Sequence, residues 1–320
     1  MRILALVPGG IGDQILFFPT LTTLKQQYPK ALIDVLVEPR SKGAYRVCPS
    51  VNEVLVFDYK DRNGLADYLN LLGVLRDREY EAAIALGQQW AVGLLLWLEG
   101  IPDRIGYKMP KSWFYTTTVP LKKEQYAADM YHDLLGGLSI STATPPVSVA
   151  VPKGDIDWAE VEQENLDVKE SGYILLHGGS SKLAISKGID KIYPVRSWLQ
   201  IVENIRQKQP DLPIVLLKGP EDEEFIAEML AGDPGLKTIS PPDIGKLAAV
   251  IAGANLMLCT DSAPMHLSIA VGTYTIALFG PTDGKKLLPP GNDTCIGIQS
   301  PSSAIADIAP VTVIEQIWRE

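Results

Sequence analysis

Two acids in this chain stand where chemistry is easy to place. Asp13 follows the glycine turn PGGIG at the end of one apolar run, and Asp261 follows the apolar run NLMLCT. In residues 2–29 and again in residues 255–283, a hydrophobic strand passes through a turn straight into a helix. The first N–H groups of such a helix lack partners within it and favour anions and polar oxygens. A carboxylate there can cap the helix or take a proton from a hydroxyl, and for Asp13 both roles are open. Gly9, Gly10 and Gly12 allow a sharp turn and a close substrate approach. The turn is not a dinucleotide fingerprint, because GGIGD lacks the G-x-G-x-x-G spacing with an acid about 20 residues on. It is not a P-loop either, since no Gly-Lys-Ser/Thr follows.

At the second turn Asp261 and Ser262 can cap the helix, Pro264 suits its first turn, and Gly272 suits its end. His266 lies about one turn in, near Asp261, Ser262 and the downstream loop GPTD. It is either a satisfied structural histidine or a ligand contact. In the first helix Pro19 removes one backbone hydrogen bond and predicts a kink unless a neighbour compensates.

The elements that must position these residues alternate between strand and helix, as in a doubly wound parallel sheet. Strand-like runs cover residues 32–38, 53–58 and 81–87, with a helical stretch at 65–78 and a helix-like segment after 126. Residues 142–157 hold three prolines and read as a linker. The second half restarts with YILLHGG, an amphipathic helix, PIVLLKG and the helix EDEEFIAEMLAG. PPDIGKLAAVIAGA reads as a turn region, TYTIALFG as the last apolar strand, and the tail as a short helix. The expected architecture is α/β: two Rossmann-like domains, residues 1–150 and 151–320, facing a central cleft. The terminal helix is expected to pack back on the N-terminal domain.

Composition narrows the function classes. With 320 residues the chain is about two domains long on a prior of roughly 100–200 residues each. The net charge of −9 argues against nucleic-acid binding. Cys48, Cys259 and Cys295 have neither disulfide-framework nor zinc-site spacing and suit a reducing compartment, with Cys259 buried in a strand. The apolar start at residues 3–7 is too short for a signal peptide, and AVGLLLWL falls short of the roughly 18 residues of a spanning helix.

GGIGDQILFFPTLTTLKQQYP and TDSAPMHLSIAVGTYTIALFGPTD, in this order at opposite ends of the chain, resemble the heptosyltransferases, glycosyltransferase family 9. RIGY, HGGSSK, KIYP and GPEDEE extend the resemblance over nearly the whole chain. It implies the GT-B fold and inverting transfer of a sugar from a nucleotide-diphosphate donor, typically ADP-heptose, to a lipopolysaccharide or other cell-envelope glycan acceptor. By that likeness Asp13 is the catalytic base and Lys191 neutralises the leaving phosphate. Gly10, Gly12, Ser180, Asp261, Ser262, Ala263, Met265 and His266 bind the donor, and Glu223 takes the ribose hydroxyls. Lys187 competes with Lys191 for the phosphate, and Glu221 and Glu224 compete with Glu223. One base suffices for inversion, so no cofactor is expected; the nucleotide-sugar is a substrate.

The chain departs from the family pattern at Ala263, where glycine is frequent, and at Tyr193, where tryptophan is. QYAADMYHDLL lacks the basic, histidine-led pattern of the acceptor side, which suggests a different acceptor. Asp155 and Asp157 form a D-x-D that could hold a cation, yet both suit a helix start; no metal site is expected. The implied location is cytoplasmic, with peripheral contact at the inner membrane face and no transmembrane segment. The alternatives are a non-catalytic nucleotide- or glycan-binding protein of this fold, and a nucleotide-sugar epimerase.

Overall fold

Short apolar runs flanked by glycines and prolines build two parallel sheets. The computed structural model describes residues 1–59, 63–179 and 188–319. The chain separates into two compact units, Met1–Ala150 and Val151–Glu320. In the first unit the strands are β1 (Arg2–Val7), β2 (Leu32–Val37), β3 (Glu53–Val56), β4 (Ala82–Ala85), β5 (Asp103–Tyr107) and β6 (Thr117–Val119). They lie in the order β3-β2-β1-β4-β5-β6, all parallel. The second unit has β7 (Ile174–His177), β8 (Ile214–Leu217), β9 (Lys237–Ile239), β10 (Leu256–Thr260), β11 (Thr275–Phe279) and β12 (Cys295–Gln299). Their order is β12-β11-β10-β7-β8-β9, again all parallel.

Counted from its own first strand, each sheet has the doubly wound order 3-2-1-4-5-6. The expected α/β class, two Rossmann-like sheets, is therefore what the chain adopts. In each sheet the winding reverses between first and fourth strands, β1 beside β4 and β7 beside β10. Ligands of open α/β sheets bind beyond the carboxyl ends of the strands at that reversal. Asp13 follows β1 and Asp261 follows β10, so each acid stands at one such point.

In the first unit the helices are α1 (Ile11–Gln27), α2 (Leu65–Arg76), α3 (Trp90–Leu98) and α4 (Ala127–His132). Pro19 does not end α1, which continues to Gln27 with residues 14–21 buried. Helix α4 docks on α1 through Thr23 and His132, whose Oγ1 and Nε2 lie 2.9 Å apart. Side chains of α2 and α3, Leu71, Leu75, Leu95 and Leu96, share one core with Leu4, Leu6, Ala83 and Ala85. Those strand residues alternate along β1 and β4, so they line one face of the sheet. At the other end of β2 the fully buried Asp34 accepts from Arg2, Asn52 and Tyr80.

In the second unit the helices are α5 (Lys153–Asn165), α6 (Val195–Lys208), α7 (Glu223–Gly232), α8 (Ile244–Ala252), α9 (Ala263–Val271), α10 (Gly284–Leu287) and α11 (Pro310–Ile317). Several expectations are corrected here. The presumed turn PPDIGKLAAVIAGA contains α8, because Asp243 caps it by accepting from the Lys246 N–H. β11 is not the last strand, since β12 pairs with it along five residues. Helix α5 starts at Lys153, inside the presumed linker. Apart from these corrections, the terminal helix contributes to the core of the second unit, where Val313 is fully buried and Trp318 donates to Asn204.

Candidate functional site

In the first unit α1 begins at the carboxyl end of β1 with Gly10 as its N-cap. Asp13 is thus not the cap but the third helical residue, and its Oδ2 reaches back to the Gly10 N–H at 2.8 Å. Its Oδ1 accepts a 3.0 Å hydrogen bond from the Tyr131 hydroxyl. Helix α4 supplies that tyrosine, wedged edge-on against Phe17 of α1. Burial, and then the charge of Asp13, push the Tyr131 phenol well above its ordinary range, so it remains a donor. Gly9 has φ +115°, and a β-carbon there would lie 2.2 Å from Asp13 Oδ2. The turn is pinned further by Ser41 donating to the Gly9 carbonyl and Gln14 donating to the Val7 carbonyl.

In the second unit the reversal gathers side chains from four segments. Lys191, in the loop before α6, lies 2.5 Å from Asp261 Oδ2, and that carboxylate is nearly buried. Tyr193 fixes the loop: its ring is fully buried against Trp198 and its hydroxyl donates to the Ile308 carbonyl. His177, the last residue of β7, is held at both ring nitrogens. Nδ1 lies 3.2 Å from Ser262 Oγ, and Nε2 lies 3.3 Å from Asp222 Oδ2. Burial works to raise the Asp222 pKa, but the His177 bond and charge and the Gly219 N–H outweigh it and hold the carboxyl below its ordinary range. The double glycine after β7 makes room for this pair, since a β-carbon on Gly179 would lie 1.8 Å from Asp222 Oδ1.

These two carboxylate-centred turns are what comparison with known proteins must explain. The model of glycosyltransferase family 9 (heptosyltransferase) matches residues 69–309, most of the chain. The chain belongs to glycosyltransferase family 9. Among curated relatives, lipopolysaccharide heptosyltransferase 3 of Escherichia coli is 25% identical over 85% of this chain and 81% of its own. Photosynthetic NDH subunit of subcomplex B 1, chloroplastic, of Arabidopsis thaliana is also 25% identical, over 98% of this chain and 72% of its own. The solved structure of E. coli ADP-heptose LPS heptosyltransferase II superposes with a TM-score of 0.81 at 20% identity, covering 99% of this chain and 97% of that one.

Within this family 9 chain the predicted residues fall unevenly. Gly10 and Gly12 stand at the start of α1, as expected. Lys191 and Asp261 come together. Ser262 is the N-cap of α9 by position, yet its hydroxyl does not cap; it turns to His177 and the Thr260 carbonyl. Pro264 brings no N–H, and that of Met265 donates to the Ser262 carbonyl, so this helix mouth offers an anion fewer backbone donors than expected. The Met265 side chain is fully buried in the core, which leaves only its backbone at the helix mouth. His266 is nearly buried in the first turn of α9, and Ala263 is half-buried. Glu223 is exposed and 2.5 Å from Lys218. Ser180 and Lys187 lie outside the described residues.

Three residues escaped the sequence reading: Tyr131, His177 and Asp222. Asp222 sat unweighed between Glu221, Glu223 and Glu224, although it alone of the four is buried. Its signal was the spacing from Gly219, identical to that of Asp13 from Gly10. Asp155 and Asp157 do not act together: Asp155 is buried 3.7 Å from Lys246, while Asp157 is exposed. Among the described residues no cluster of three or more His, Cys, Asp or Glu is placed to hold a metal ion. No helix of the described residues is long and apolar enough to cross a membrane.

Proposed function

We propose that this family 9 glycosyltransferase moves a heptose or related sugar from a nucleotide diphosphate such as ADP-heptose to a lipopolysaccharide or other cell-envelope glycan. Transfer inverts the anomeric carbon, needs no metal or cofactor, and takes place in the cytoplasm at the inner membrane face. The acceptor hydroxyl gives its proton to Asp13 as its oxygen bonds to the anomeric carbon. The bond from that carbon to the diphosphate breaks on the opposite side, and its electron pair leaves with the nucleotide. Lys191 meets the charge that develops on the departing phosphate, exchanging Asp261 for it. His177, set by Asp222, stands beside Ser262 at the same strand ends and shares that task.

The observation that carries this reading is the setting of Asp13. A cap needs one carboxylate oxygen; here the second is oriented by Tyr131, and the side chain stays partly open to solvent. Asp13→Asn keeps the shape and removes the base. Transfer is expected to fall about 10²–10⁴-fold with nucleotide affinity retained. Undiminished transfer by Asp13→Asn would remove the base assignment.

A second reading has one specific support, the similarity to a protein named as an NDH subunit. In that reading the chain keeps the fold and binds nucleotide or glycan without turnover. Wild-type protein that binds nucleotide yet transfers to no acceptor would favour it. A changed sugar still attached to its nucleotide, formed with no acceptor present, would indicate an epimerase instead.

A further inference from the structure

The apolar run at residues 90–98 is too short to span a bilayer. It forms α3, whose inner side packs through Leu95 and Leu96 into the first unit's core. Its outer side leaves Trp90, Trp97 and Leu98 exposed. Most parallel strands are joined through a helix, but β5 and β6 are joined by residues 108–116, which form turns. This strap runs beside α3. A β-carbon on Gly93 would lie 3.0 Å from the Tyr115 ring, and the rings of Trp97 and Phe114 are 5.8 Å apart. Trp113, next in the strap, is 81% exposed. Helix α2 meets α3 where Arg76 donates to the Leu98 carbonyl, and it leaves Leu65 and Leu69 exposed. So many exposed large apolar side chains on adjoining elements mark an interaction surface.

Charge selects the partner. Helix α3 carries none, and residues 104–123 contain Arg104, Lys108, Lys111, Lys122 and Lys123 without a single acid, in a chain of net charge −9. Lys122 is engaged by Asp133, whereas Lys108 and Lys111 are exposed in the same strap as Trp113. The nearby Glu99 presents little charge outward, because both its carboxylate oxygens are buried. Tryptophan suits the headgroup layer of a bilayer, and lysine suits lipid phosphates.

We propose that this side of the first unit seats on an anionic bilayer surface, with Trp97 and Trp113 entering the headgroup layer and Lys108 and Lys111 on lipid phosphates. The proposal sharpens the membrane-side location given above and does not depend on sugar transfer.

Co-sedimentation of the full chain with vesicles tests it. Wild-type protein is expected to pellet with phosphatidylethanolamine–phosphatidylglycerol vesicles, to leave them as salt rises, and to ignore phosphatidylcholine vesicles. The double variant Trp97→Ser/Trp113→Ser and, separately, Lys108→Glu/Lys111→Glu are each expected to partition roughly tenfold less. An unchanged thermal shift with ADP shows that the variants are folded. Wild-type protein that ignores anionic vesicles, or variants that bind them as wild type does, would overturn the proposal. So would a wild-type oligomer, formed without lipid, that the tryptophan variant dissolves, since the face would then be a protein interface. Transfer to a water-soluble acceptor fragment, measured in parallel, reports on the sugar chemistry alone.

Discussion

In three glycine–aspartate pairs spaced three residues apart, among the described residues, the glycine N–H donates to the aspartate. The N–H of Gly10, Gly64 and Gly219 donates to Asp13, Asp67 and Asp222 at 2.8, 2.8 and 2.7 Å. At Gly10 and Gly64 the glycine is the N-cap and the aspartate the third helical residue, whereas Asp222 itself holds the N-cap position of α7, so the spacing by itself says nothing of chemistry. A further partner makes the difference: the second oxygen of Asp13 meets Tyr131, and the Asp222 oxygen that takes the Gly219 N–H also meets His177. Position 13 was legible because glycine turn and acid adjoin in sequence; Tyr131 was not, because 118 residues separate it from Asp13. The turn also separates its glycines. Gly9→Ala would press a β-carbon onto the Asp13 carboxylate at positive φ, a strain on the order of 1–3 kcal/mol. Gly10→Ala, with φ −86° and Asp13 no nearer than 4.0 Å, should cost within about 1 kcal/mol. Urea midpoints of the two variants should differ in that order, and transfer should fall much further in Gly9→Ala. Equal midpoints would refute the close approach at Gly9.

Among the elements, α3 shows what a pattern can and cannot reveal. Its uncharged run was visible as apolar, but an apolar run of nine residues fits core, interface or bilayer surface until its neighbours are known. β9, of three residues, was too short to give a periodic signal. The prolines and aspartate before α8 looked like a turn because a capping aspartate is also a turn residue. Helix α3 also carries a testable electrostatic cost at its end. Burial raises the Glu99 pKa from 4.5 to about 6, only partly offset by Arg76. The folded chain therefore holds this proton more tightly than the unfolded chain does. Stability from this group is fully present below pH 4.5 and is lost as pH rises through 6. Glu99→Gln should raise stability at pH 7.5 by about 1 kcal/mol, allowing for screening, and change little at pH 4.5. Chemical denaturation at the two pH values checks this; a destabilised variant at pH 7.5 would reverse the sign.

Over the whole molecule, alternation of apolar runs with helices was enough to expect two doubly wound units, because a parallel sheet covered on both faces leaves a continuous hydrophobic signal. The side-chain groupings at the strand ends were not legible, since a crossover sheet brings together residues far apart in the chain. Lys191 and Asp261 are 70 positions apart. Their pairing supports a prediction for the intact enzyme: a lysine and an imidazole already stand at the strand ends to which the proposed reaction assigns the diphosphate's charge. Transfer measured in excess EDTA should equal transfer in Mg²⁺. Loss in EDTA that Mg²⁺ or Mn²⁺ restores would mean that these side chains do not suffice.

The matching strand orders also decide which segments of the two units are internal counterparts. Aspartates 13 and 261 invite alignment with each other, but β1 is the first strand of its sheet and β10 the fourth of its own. The true counterpart of the Gly9–Gly10 turn is the Gly178–Gly179 turn after β7, and Asp261 corresponds in place to the residues after β4 around Gly87. If the units arose by duplication of one ancestral half, their ancestry is recorded in the paired double glycines, and the two acids arrived separately.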